Sequence, residues 1–183
     1  MRYRRESAYA QKLFDVMLTS ESDLKFVASD VYFIRRYQLP QVGHNPVFIR
    51  DSQNAYSFNP SQFMGIRFPI VGRVNTGMFF FPFKYYDLEL LEKLLSDLLI
   101  RKGYQRLFWL EQTLWAFLAG TVSETYFFVD VQIKMARRDL SVEEQTIAVH
   151  LVSSYRFHFD QLSSQPLAQG GSAERIRLLS NTG

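Results

Sequence analysis

Between residues 87 and 101 the apolar positions recur every three to four residues. Leu88, Leu91, Leu95 and Leu98 form one stripe, and Leu90, Leu94 and Leu99 widen it, which predicts an amphipathic helix. Asp87 stands where an N-cap belongs and Gly103 where the helix should stop. Residues 8–18 predict a second helix, with Tyr9, Leu13, Val16 and Met17 on one face, and residues 111–118 a third, ended by Gly120. Short runs rich in aromatic and β-branched residues predict strands at 25–28, 31–34, 47–49, 55–58, 78–81, 125–131 and 147–149. Pro82 closes the run at 78–81 or places it at a sheet edge. Residues 41–74 hold three of the six prolines and several Asn and Gly, so loops dominate there. Residues 163–183 read as a flexible linker followed by a short amphipathic tail, leaving 1–162 as the folded domain. Strands alternating with helices give an α/β or α+β class, and no internal repeat is visible.

Composition narrows the picture. With 183 residues, 47% of them hydrophobic, and 17 Phe and 10 Tyr, the chain is one domain with enough apolar surface for a core. It has no cysteine, which excludes disulfides, zinc–thiolate sites and thiol nucleophiles. The formal net charge is +3. The basic residues are spread along the chain, with few adjacent pairs such as Arg35-Arg36 and Arg137-Arg138, so a solvated surface is expected and no nucleic-acid patch. Met1–Ser7 has positive charge with no apolar stretch behind it, and Met78–Phe83 is too short to span a bilayer. The expectation is a soluble, cytoplasmic protein with no transmembrane segment.

Four places could carry chemistry. Asp30 follows an apolar strand, where a carboxylate can reach a ligand crevice, although a lone Asp there is more often a turn former. Asn75-Thr76-Gly77 opens a strand; Gly lets a ligand approach the backbone and Asn can bond hydroxyls, but the same triplet can simply start the strand. Glu111-Gln112 begins an apolar helix; the acid suits the helix dipole, and the pair could equally face a substrate. His150, with Ser153 and Arg156 behind it, offers a metal ligand and a phosphate clamp, or a strand-end His and a solvated Arg.

Taken in order, these segments resemble the nucleotide-diphospho-sugar transferases with the A-type glycosyltransferase (GT-A) fold, especially glycosyltransferase family 8 and its bacterial relatives. Ala28-Ser29-Asp30-Val31-Tyr32-Phe33 is similar to that family's Asp-x-Asp strand end, and Asn75-Thr76-Gly77 to its Asn-x-Gly. Glu111-Gln112 matches the acidic residue and Gln that open a helix, and His150 to Arg156 matches His-x-x-Gly-x-x-Lys. The likeness runs from about residue 8 to residue 162. It departs at Ala28, where the family has the first Asp; at Ser153, where it has Gly; and at Arg156, where it has Lys. The resemblance implies a GT-A-like mixed sheet flanked by helices, without the N-terminal βαβ units that hold the nucleotide in that family. It implies transfer of a sugar from a nucleotide-diphospho-sugar to an acceptor, with a non-catalytic binding or assembly module as the alternative. By the same resemblance, Asp30 and His150 would hold a divalent metal, manganese in most of the family, although Ala28 leaves that site one carboxylate short. Asn75, Gly77 and Arg156 would bind the substrate, and Glu111 and Gln112 would line the reaction centre. Loss of the upstream units would leave the strand at 25–28 as an open edge through which the chain could self-associate.

Overall fold

The computed structural model describes residues 8–20, 22–40, 43–58, 68–101, 107–164 and 173–181. Four α-helices are assigned there: α1 (Ala8–Ser20), α2 (Leu88–Arg101), α3 (Leu110–Gly120) and α4 (His158–Ser163). The class is mixed α/β, as the alternating pattern predicts. The main sheet has five strands in the order β1 (Leu24–Val27), β5 (Val74–Phe81), β4 (Val47–Arg50), β6 (Tyr126–Phe128), β10 (Leu178–Ser180). Only the β4–β6 pair in it is parallel. A second sheet of three strands runs β2 (Val31–Phe33), β8 (Ala148–His150), β7 (Ile133–Met135), and a two-stranded ladder joins β3 (Tyr37–Gln38) to β9 (Glu174–Arg175).

All eight residues of β5 are buried, because the strand has a core on each face. Phe79 and Phe81 point to the helices, where both rings lie 4.9 Å from that of Trp115. This core also takes Leu13, Phe14 and Met17 from α1 and Leu91 and Leu94 from α2. Met78 and Phe80 point the other way, into a smaller core with Val31, Ile133 and Ala148 of the second sheet. A third cluster, with Ile34, Ala136, Val149, Leu151 and Leu162, seats α4. Among the described residues no helix is long and apolar enough to cross a membrane.

The leucine stripe of α2 faces the core at Leu91, Leu94 and Leu95. The Asp87 carboxylate accepts the Leu90 N–H at 2.8 Å, an N-cap bond, and all three leucines are buried. Replacing Leu95 by Ala should therefore lower unfolding stability by roughly 2–3 kcal/mol, near the lower end for a core leucine because the side chain is not fully enclosed. Chemical denaturation checks this; a change under about half a kcal/mol would place the residue on the surface. Gly103 lies outside the described residues.

Several sequence expectations are corrected. Tyr9 is 55% exposed; Leu13 and Met17 are buried as expected, and Ala10 and Phe14 join them on that face. Residues 55–58 are not a strand: Ala55 and Tyr56 donate to Gln53 and Asn54 two residues back, which coils the chain. Tyr56 and Phe58 are apolar there because they fill the helical core. The Tyr56 hydroxyl donates to the Val71 carbonyl, and burial pushes its pKa up to about 12. The tail is not a free amphipathic segment. Residues 174–175 pair with β3, Ile176 is buried, and Leu178–Ser180 lie antiparallel to β6 as an edge of the main sheet. Residues 165–172, the core of the expected linker, lie outside the described residues. The strand at 24–27 does stand at a sheet edge, paired with β5 alone. Its apolar face is covered, however: Phe26 packs on Phe79 and beneath the Lys12 ammonium of α1.

Candidate functional site

The site is built on an irregularity in β5. Phe48 of β4 faces Phe79, but the next residue, Ile49, faces Asn75. Thr76, Gly77 and Met78 thus stand against a single step of β4 and bulge out of the ladder. Asn75 fixes the bulge. Its side-chain carbonyl accepts the Gly77 N–H at 2.9 Å, and its amide donates to Asp51 Oδ2 at 3.2 Å. The Gly77 carbonyl in turn accepts the Ala28 N–H at 2.7 Å. The Asn-x-Gly triplet is therefore a self-bonded turn that brings the 28–30 segment to the strand.

On the second-sheet side, Gly77 meets His150. A Cβ built at Gly77 would come within 2.6 Å of three atoms of the imidazole ring, so the ring packs against the glycine where no side chain would fit. Val31 pairs with His150 in the β2–β8 ladder, which sets Asp30 beside the ring. His150 Nε2 lies 3.2 Å from Asp30 Oδ1, and Arg156 donates to Asp30 Oδ2 at 3.2 Å. The imidazole first, then its charge and the Arg156 bond, hold the Asp30 carboxyl down at about 2 against the opposing effect of burial. His150 Nδ1 is buried without a hydrogen-bond partner. Arg156 is 67% exposed at its side chain. Its chain neighbours Tyr155 and Phe157 meet edge to face at 6.3 Å, and Phe159 meets Tyr32 at 5.5 Å. Phe157 is 60% exposed.

On the helix side, Thr76 meets Glu111. The Thr76 hydroxyl donates to Glu111 Oε2 at 2.9 Å, and the Lys12 ammonium lies 3.0 Å from Glu111 Oε1. Lys12 also donates to the Thr76 hydroxyl and carbonyl, each at 3.0 Å. Burial raises the Glu111 pKa, opposed by Lys12 and, less, by Thr76 and Trp115. Gln112 is buried and its amide donates to the Ala55 carbonyl at 2.9 Å, tying α3 to the 53–58 loop.

Successive strand residues face opposite ways, so β5 separates two groups. Asp30, His150 and Arg156 come together, with His150 against Gly77 and Asp30 between His150 and Arg156. Glu111 and Gln112 do not join them; they are enclosed beneath Thr76 on the other face. The sequence reading also passed over Lys12, Thr76 and Asp51. One signal was available for Glu111: it is the lone charge in the apolar helix 110–120, and a buried charge needs a partner.

The expected divalent metal does not suit these residues. Among the described residues no three His, Asp or Glu side chains gather around a common point. Asp30 is the one carboxylate here, both its oxygens are engaged, and one partner is a guanidinium. A hard cation takes about six oxygen ligands and would have to displace that like charge. Ala28 supplies nothing in its place.

The Asp30 carboxylate makes an acid-limb prediction. Its pKa is lower folded than unfolded, so its contribution is complete above the ordinary carboxylate value and is lost as pH falls from about 4 through about 2. A shift of this size corresponds to about 2 kcal/mol. Asp30→Asn should flatten the fall in stability over that window, as followed by denaturation at a series of pH values. An unchanged acid limb would show that the carboxylate is unpaired in solution.

A bulged strand thus presents one charged, partly open group on one face and one sealed ion pair on the other, within a mixed α/β fold. Comparison with known proteins finds no matching family model, no similar curated protein and no similar solved structure.

Proposed function

We propose that the chain is a glycosyltransferase-like protein whose site at Gly77, Asp30, His150 and Arg156 holds a nucleotide-diphospho-sugar for transfer to an acceptor. One observation carries the reading: Asp30, His150 and Arg156, with Asp30 and Arg156 126 residues apart, form one bonded group beside Gly77. Arg156 is the diphosphate ligand. Asp30 fixes one edge of its guanidinium, and the remaining N–H groups present the planar fork that suits phosphate oxygens. As the bond from sugar to diphosphate breaks, negative charge collects on the departing diphosphate, and a fixed guanidinium offsets it. Phe157 and Tyr155 give the sugar or the base an aromatic face. His150 positions Asp30, and Gly77 makes room for His150.

A second reading, a binding module without turnover, is favoured by the placement of Glu111. The acid that the resemblance assigns to the reaction centre is 2% exposed and paired with Lys12. Thermal shift with a panel of nucleotide-diphospho-sugars, each with and without manganese, followed by an assay for released nucleotide diphosphate, separates the two. Binding with release supports transfer, and binding alone supports the module. A shift that requires manganese would contradict the metal-free site described above.

A further inference from the structure

A cleft of about 280 Å³ lies away from the Asp30 group, between the β4–β5 end of the main sheet and the segment that follows β7. Arg50 and Arg73 line one wall, Lys134 and Arg137 the other, and Asp130 and Asp139 complete it. Four cations thus face two carboxylates.

How these cations are held matters more than their number. Lys134 is paired with Glu143 and the Ser141 carbonyl, so its charge is largely spent. The two arginines of the opposite wall are fixed by partners that carry no charge. Arg73 Nε donates to the Asp51 carbonyl at 2.7 Å, and the Arg50 guanidinium lies over the Phe127 ring at 4.8 Å. Both are oriented without being neutralised, the state that favours an incoming anion.

Arg73 also has φ 59°, left-handed backbone that a non-glycine residue adopts at a cost. The turn imposes it: the Arg73 N–H donates to Asn54 Oδ1 and its carbonyl accepts the Asp51 N–H, each at 2.7 Å. Glycine would meet that geometry freely, yet the position carries a guanidinium aimed at a cleft. Strain kept at a cavity wall is an indication of use.

We infer that this cleft binds a small phosphorylated molecule of about the size of a sugar phosphate. Arginine forks match phosphate oxygens in pairs, the three arginines outnumber the two carboxylates so that an anion is favoured, and the volume is near the lower end for small-ligand pockets. The inference is independent of the function proposed for the Asp30 group.

Isothermal calorimetry with glucose 6-phosphate, glucose 1-phosphate, inorganic phosphate and glucose tests it. One of the sugar phosphates should bind at least tenfold more tightly than inorganic phosphate, and glucose should not bind. Arg73→Gly and Arg137→Ala should each weaken sugar phosphate binding about tenfold. Arg73→Gly should melt no lower than the parent, since glycine relieves the strained backbone; should it fail to fold, Arg137→Ala carries the comparison. The inference is overturned if no phosphate ester binds at millimolar concentration, if the folded variants bind as the parent does, or if inorganic phosphate binds as tightly as either ester. A short oligonucleotide that binds in the cleft more tightly than the sugar phosphates would also overturn it.

Discussion

Replacing Lys12 by Met should cost about 3–5 kcal/mol of unfolding stability, the range for breaking a buried ion pair, while Lys12→Met with Glu111→Leu should restore most or all of it. The reason is asymmetry. The pair lies in an apolar core with Phe26 and Phe79 against the ammonium and Thr76 on both charges. Removing one member leaves the other buried and unpaired, whereas removing both leaves an apolar site of similar volume. The single variant should also show a distinct pH dependence. Glu111 already has a raised pKa from burial, with Lys12 the main influence pulling it down. Without Lys12 it rises further. A group whose pKa is raised on folding contributes its stability below the unfolded value and loses it as pH rises through the folded one. Lys12→Met should therefore be least harmful near pH 4 and most harmful at alkaline pH. Urea titrations of both singles and the double, at two pH values, give the cycle. A double variant as unstable as the sum of the singles would contradict it.

Gly77→Ala should disable the proposed ligand site and cost about 1–3 kcal/mol, the usual range for overpacking. The added methyl would occupy the place of the His150 ring. That ring is buried, and the same Nε2 that bonds Asp30 lies 2.6 Å from the added carbon, so the ring must shift off Asp30 to make room. Asp30 then loses the bond that contributes most to its low pKa, and Arg156 loses part of its anchor. Stability and the acid limb should change together, and sugar-nucleotide binding should weaken at least tenfold. His150→Ala in the same background should recover much of the stability but not the acid limb. An alanine at 77 that leaves both stability and acid limb intact would show that the imidazole does not rest on the glycine.

What the sequence made legible divides along physical lines. Helix α2 was readable because seven leucines at helical spacing and an Asp cap say the same thing. Asp30, His150 and Arg156 do meet, and it is the antiparallel pairing of Val31 with His150 that sets the Asp beside the ring. The face on which Glu111 lies was not readable, because a bulge in β5 decides it, and a bulge is a register feature that no periodicity reveals. Strands β3 and β9, two residues each, are too short to carry a repeat, and β10 is a three-residue edge. The tail therefore read as amphipathic coil although it completes the sheets. Residues 55–58 misled in the opposite direction: their apolar side chains serve a core while hydrogen bonds two residues apart coil the backbone. The basic cleft was invisible for another reason. Its cations come from positions 50, 73, 134 and 137, and only folding brings them to opposite walls.

The most direct test of the central claim is calorimetry of nucleotide-diphospho-sugars against the parent protein and Arg156→Ala. Arg156 is largely exposed, so its loss should leave the melting temperature within a degree or two, as expected for surface positions. The account predicts that at least one sugar nucleotide binds the parent without added metal, and that Arg156→Ala binds it at least tenfold more weakly. Equal binding by parent and variant, or no binding of any sugar nucleotide at millimolar concentration, would contradict it.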